Sequence, residues 1–140
     1  MRVLHLLLAT VLAATVLPAS AQRLPVPIVN PGNLSAAAAP GRQLKAEDVK
    51  KAILAAALAT ERKWAITEVA PGRMIATYHV RTHTVTSEIH YTAADFSVFY
   101  RDSINMKYAP GPDGKGVIHP FYNQWVQELV QAIRIELAKA

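Results

Sequence analysis

The chain has 140 residues and no cysteine, which excludes a disulfide-stapled scaffold and an anchor built on a lipid-modified cysteine. Its 15 Lys and Arg outnumber its 10 Asp and Glu, for a net charge of +5. These cations are scattered and form no dense run, which excludes an evident nucleic-acid surface; one domain with a modest core is expected.

The N-terminus reads MRVLHLLLATVLAATVLPASAQ. Arg2 is a positive start, residues 3–17 are almost wholly apolar, and Ala19-Ser20-Ala21 is a small-residue cleavage site. The apolar run is short for a membrane span of about 20 residues. The expectation is a signal peptide over residues 1–21, removed on export to the periplasm. Its loss takes Arg2 with it, so Lys and Arg fall from 15 to 14 and the net charge from +5 to +4. No transmembrane helix is expected after cleavage.

Residues 22–44 are rich in Pro, Gly, Ala and Asn and keep no helical or strand period, which predicts a disordered linker. A single α+β domain is expected over residues 45–140. Residues 45–63 read as a helix: Glu47 and Asp48 open it, Arg62 and Lys63 close it, and Val49, Ala52, Ile53, Ala56 and Ala57 form a small-residue stripe. No good N-cap side chain precedes it, so its start should be soft. Residues 64–70 alternate as a strand, and Pro71-Gly72 marks a turn.

Residues 73–92 are too long for one strand and lack Gly, Pro and Asn. A tight turn at Arg81-Thr82 resolves this, because it pairs Tyr78 with Val85 and Met74 with Ile89 on one face. Residues 96–101 are the fourth strand, with Phe96, Val98 and Tyr100 facing inward. Residues 102–118 form a long Gly- and Pro-rich connection of a kind that often carries function. In the following IHPFYNQW, Pro120 suits a first helical position and His119 a flanking cap. Tyr122, Trp125, Val126, Leu129, Ile133 and Leu137 then make an apolar stripe, with Trp125 expected as a core plug.

The expected fold is α+β: α-β-β-β-β-α, an antiparallel four-stranded meander with both helices on one face. The other face would carry Thr67, Thr77, His79, Thr84, Thr86, Glu88, His90, Ser97 and Arg101, with Ile75 and Phe99 as apolar exceptions.

No reactive constellation stands out. Under this register His79 and His90 are about 20 Å apart. Glu88 and His90 are half a metal site without a third ligand, and His83 meets His119 only if the fold joins their segments. Asp102, Ser103 and His119 have the letters of a hydrolase triad but no nucleophile elbow or oxyanion hole. No Gly-rich phosphate loop leads into a helix. No cofactor, metal or catalytic residue is assigned.

Five pieces together resemble a group of small uncharacterised envelope proteins of Gram-negative bacteria, many of them predicted lipoproteins. They are VKKAIL (49–54), Trp64 opening the first strand, YHVRTHTVTSEIHY (78–91), FSVFYRDSINMKY (96–108) and IHPFYNQW (118–125). The resemblance implies a small α+β domain in the periplasm and no activity. This chain departs from the lipoprotein members in lacking the lipidated cysteine.

The leading expectation is a non-enzymatic binding or interaction module of the cell envelope, a monomer or weak dimer whose partner is an envelope protein or component. The alternative is a small-ligand or metal binder, or a hydrolase, that uses the 102–123 loop and helix start. Candidate interaction or loop-fixing residues are Arg81, His83, Phe99, Arg101, Asp102, Ser103, Asn105, His119, Tyr122 and Asn123.

Overall fold

The structure is a computed structural model that describes residues 23–140. The expected signal peptide, residues 1–21, lies outside the described residues. In chain order the elements are β1 (Val26–Pro27), β2 (Leu34–Ser35), α1 (Ala46–Ala59), β3 (Ala65–Ala70), β4 (Arg73–Val80) and β5 (His83–Tyr91). They continue with β6 (Asp95–Ile104), β7 (Ala109–Pro110), β8 (Gly116–Ile118) and α2 (Phe121–Lys139). The fold is α+β with two antiparallel sheets, a five-stranded one in the order β2-β6-β5-β4-β3 and a small one in the order β1-β8-β7.

Strands β3 to β6 are the expected meander, and the hairpin turns where the parity argument placed it. Tyr78 pairs with Val85 and Met74 with Ile89. Arg81 takes the left-handed conformation, φ 55°, that a two-residue hairpin turn demands. Met74, Ala76, Val85, Ile89, Phe96 and Val98 therefore share one face, all buried, and both helices pack there. Val49, Ala52, Ile53, Ala56 and Ala57 of α1 are all buried, as their spacing requires. So is the stripe of α2 from Tyr122 to Leu137.

Helix α1, strand β6 and the segment before α1 differ from expectation, and the expected 102–118 connection carries β7 and β8. Helix α1 ends at Ala59, four residues early, because Thr60 turns to an extended conformation. Lys63 then reaches back to the Leu58 carbonyl at 2.5 Å, and Arg62 pairs with Glu128 on α2. The helix start is also firmer than its sequence suggests, since the Asp48 carboxylate accepts the Lys45 N–H at 2.9 Å.

Strand β6 runs to Ile104, three residues past the expected end. A bulge opposite Thr86 and Ser87 inserts Arg101 as an extra residue. Tyr100 then pairs with Ser87, Asp102 with Thr86, and Ser103 returns to the side of Val85.

The expected tether is laid along the domain. Leu34 pairs with Phe96, Ser35 with Asp95, and Val26 with Ile118. The Asn123 side chain accepts the Val29 N–H at 3.0 Å and donates to the Pro27 carbonyl at 2.9 Å. Asn30 accepts the Tyr100 N–H at 2.7 Å. These prolines end local periods without preventing an extended strap whose polar groups are met from outside the segment.

Candidate functional site

Strand β4 ends at the hairpin tip, and the long connection crosses beside that tip before α2 begins. This brings Arg81, His83, Met106 and His119 to one place. They surround a cavity of about 240 Å³ completed by Val80, Phe121 and Trp125. His83 and His119, 36 positions apart, are thus joined by the fold, with the His119 N–H donating to the Met106 carbonyl at 2.8 Å.

Hydrogen bonding settles which ring nitrogens are free. His83 Nδ1 lies 2.6 Å from the Asn105 carbonyl, which only accepts, so this nitrogen carries the proton and Nε2 is left over. At His119 the roles reverse. The Phe121 N–H donates to Nδ1 at 3.1 Å, so neutral His119 holds its proton on Nε2. Burial holds the His119 pKa below the ordinary histidine range, and Lys107, Arg23 and His83 push it the same way. His119 is therefore a neutral N–H donor at neutral pH.

The rim is cationic and locally strained. Arg81, Asn105 and Lys107 have φ of 55°, 56° and 54°, a region disfavoured for residues with a Cβ. Asn105 is secured by an Nδ2 bond to Thr82 Oγ1 at 2.9 Å. Arg23 lies over the Phe121 ring at 4.6 Å, and its carbonyl meets Lys107 Nζ at 3.4 Å.

A row of rings runs from the cavity into the core. His119, Phe121, Trp125, Tyr78 and Trp64 follow one another at centroid spacings of 4.7, 5.7, 5.2 and 5.6 Å. Trp125 is nearly buried and plugs the core as expected, while one part of it faces the cavity. The Trp64 indole N–H at the far end is buried without a hydrogen-bond partner among the described residues.

The remaining candidates divide into two groups. Tyr122, Asn123 and Ser103 fix the structure. The Tyr122 hydroxyl meets Ser87 in the core, Asn123 holds the strap, and Ser103 Oγ lies 2.9 Å from the Tyr100 hydroxyl. Ser103 is therefore tied to a tyrosine, and the basic nitrogen of His119 is committed to a backbone amide, so the two do not form a nucleophile–base pair. Asp102 is exposed on β6 opposite Thr86.

Phe99 and Arg101 lie on the open face of the sheet. There the Glu88 carboxylate takes Arg73 at 2.7 Å, His90 at 2.7 Å and Arg101 at 3.0 Å, and Phe99 packs edge-on against His90 at 5.2 Å. The half-site Glu88–His90 is thus filled by arginines. Among the described residues no three His, Cys, Asp or Glu are grouped to hold a metal ion.

A second cleft, of about 450 Å³, is lined by Tyr100 and Tyr108, stacked at 5.0 Å, and by Asn30 and Lys115 among others. The Asn30 side-chain oxygen and the Tyr100 hydroxyl are already engaged within the fold.

Sequence reasoning missed Val80, Met106 and Phe121 as lining residues, and Arg23 and Lys107 beside them. Phe121 had a legible signal, because it stands four residues before Trp125 and the two rings share one side of α2.

The chain matches no family model, no curated protein and no solved structure. Among the described residues no helix is long and apolar enough to cross a membrane.

Proposed function

We propose that this chain is an exported, non-enzymatic binding module of the cell envelope, and that it binds at the hairpin-tip cavity. The observation that carries the reading is convergence. Strand β4, strand β5, the long connection and α2 each send side chains into one concave, mainly apolar space with a few polar groups at its rim. On the open sheet face, by contrast, Arg73 and Arg101 are both engaged by the Glu88 carboxylate. The leader-like residues 1–21 and the resemblance to Gram-negative envelope proteins support export. The engaged states of Ser103 and His119 favour binding over hydrolysis.

The test is in-cell cross-linking of the chain expressed with its leader in a Gram-negative host. Arg81→Asn and His119→Asn should each weaken capture of the bound component at least five-fold. Phe99→Ala and Arg101→Ala should leave it unchanged. Loss with the sheet-face pair alone would move the contact to that face and overturn the cavity as the binding site. The mass of the exported chain checks the leader, because cleavage after Ala21 removes residues 1–21.

A further inference from the structure

Size comes first. At roughly 30 Å³ per water, the 240 Å³ cavity has room for about eight waters. It is below the roughly 300–1,000 Å³ of sites that enclose a drug-sized ligand. It therefore suits one ring or a short chain. Its floor of Val80, Met106, Phe121 and Trp125 is apolar and aromatic, which fits an apolar body.

The rim selects the sign of charge. Arg81, His83 and His119 line it and no carboxylate does. Arg23 and Lys107 are the next charges felt at His119. The first turn of α2 contains no acidic residue, so the positive end of its dipole beside the cavity is not offset. These charges and the helix end favour an anion, on the side of the mouth away from the His83 Nε2 lone pair.

The same geometry disfavours a transition metal. Such an ion needs nitrogen or sulfur lone pairs. The Nδ1 lone pair of His119 is spent on the Phe121 N–H. His83 Nε2 and the Met106 thioether remain, too few for a closed coordination sphere, and Arg81 sits among them.

We propose that the hairpin-tip cavity is a receptor for a small apolar carboxylate, with its body on Phe121, Trp125 and Met106 and its carboxylate between Arg81 and His119. The inference rests on the cavity being the module's binding site and adds the ligand class. The carboxylate accepts from Arg81 and from His119 Nε2–H. This chemistry belongs equally to a free acid and to the last residue of a polypeptide that ends in an apolar side chain.

The experiment reads Trp125 fluorescence in the chain carrying Trp64→Phe, which leaves Trp125 as its sole tryptophan. The probes are 4-phenylbutyrate, N-acetylphenylalanine and the primary amide of each, at fixed ionic strength. At least one acid should give a saturable change with Kd ten-fold or more below that of its amide. Preference for 4-phenylbutyrate identifies a free acid as the natural form, and preference for N-acetylphenylalanine identifies a chain end.

Arg81→Asn and His119→Asn should each raise that Kd at least ten-fold. Asn tolerates the positive φ at position 81. At position 119 its side-chain oxygen can still accept the Phe121 N–H while the Nε2–H donor is gone. Amide-resolved NMR titration of the unaltered chain makes the acid–amide comparison without any substitution.

Equal affinity for acid and amide overturns the anion assignment. No binding of either acid at millimolar concentration overturns the ligand class. Arg81-dependent cross-linking that persists in that case leaves the binding-module reading standing, so the two failures are distinguishable.

Discussion

The Tyr122 hydroxyl lies 3.0 Å from Ser87 Oγ, and this bond joins the middle of the sheet to the first turn of α2. Both residues have no exposed surface, so each hydroxyl depends on the other for a partner. Tyr122→Phe strands the Ser87 hydroxyl and Ser87→Ala strands the tyrosine, and each should cost about 1–3 kcal/mol. The double substitution should cost less than the sum, because two apolar neighbours leave no polar group unmet. Thermal unfolding of the four chains checks this, at on the order of 5 °C per kcal/mol. Strict additivity would show that the bond contributes nothing.

The same tyrosine gives the fold an alkaline limit. Burial pushes the Tyr122 pKa up to about 12 from an ordinary value of 10.0, although the bond to Ser87 pulls the other way. A folded pKa above the unfolded one means that the folded chain holds a proton the unfolded chain has lost. Its contribution is complete below pH 10 and falls as pH rises toward 12, by about 1.4 kcal/mol per pH unit at most. Urea unfolding between pH 9 and 12 should show this decline, and Tyr122→Phe should flatten it. Equal slopes for both chains would assign the alkaline loss to other groups.

How much of this was legible in the sequence depends on the range of the interaction. The hairpin register was readable because a one-residue slip at Arg81-Thr82 would turn Met74, Tyr78, Val85 and Ile89 out of the core. The helix stripes were readable for the same reason. The bulge at Arg101 was not, since it exchanges one polar residue for another and leaves no mark on the hydrophobic pattern. The strap of residues 23–36 was missed because two-residue strands have no period to detect. The cavity is a tertiary object. His83, Met106 and His119 belong to three segments, and only the path of the long connection places them together.

Asn123 is the clearest case of a residue whose role appears only in three dimensions. Its side chain bonds the strap at Pro27 and Val29, 96 and 94 positions away. Asn123→Ala should release that stretch while leaving the sheet and helices intact. The global loss should be about 1–2 kcal/mol, because two hydrogen bonds disappear at a partly exposed site. Hydrogen exchange should speed up most at the Val29 and Ile28 amides, the latter paired with the Gly116 carbonyl. Unchanged exchange at both positions would show that β1–β8 pairing holds the strap alone.

Glu88 sets the acid limit. Its carboxylate is hydrogen-bonded first by His90 and then by Arg73, and these hold its pKa down to about 2 from an ordinary 4.5. A folded pKa below the unfolded one stabilises the fold above pH 4.5, and the contribution is lost as pH falls from 4.5 toward 2. Arg73 and Arg101 are about half exposed, so the effect should shrink at high salt. Urea midpoints of the unaltered chain should drop steadily over that window. Glu88→Gln should start lower at pH 6 and decline less, since it has no proton to take up there while Arg73 and Arg101 remain. Carboxyl-carbon NMR titration locates the group directly. A Glu88 midpoint near 4.5 would mean that the arginines of β4 and β6 do not hold this carboxylate in solution.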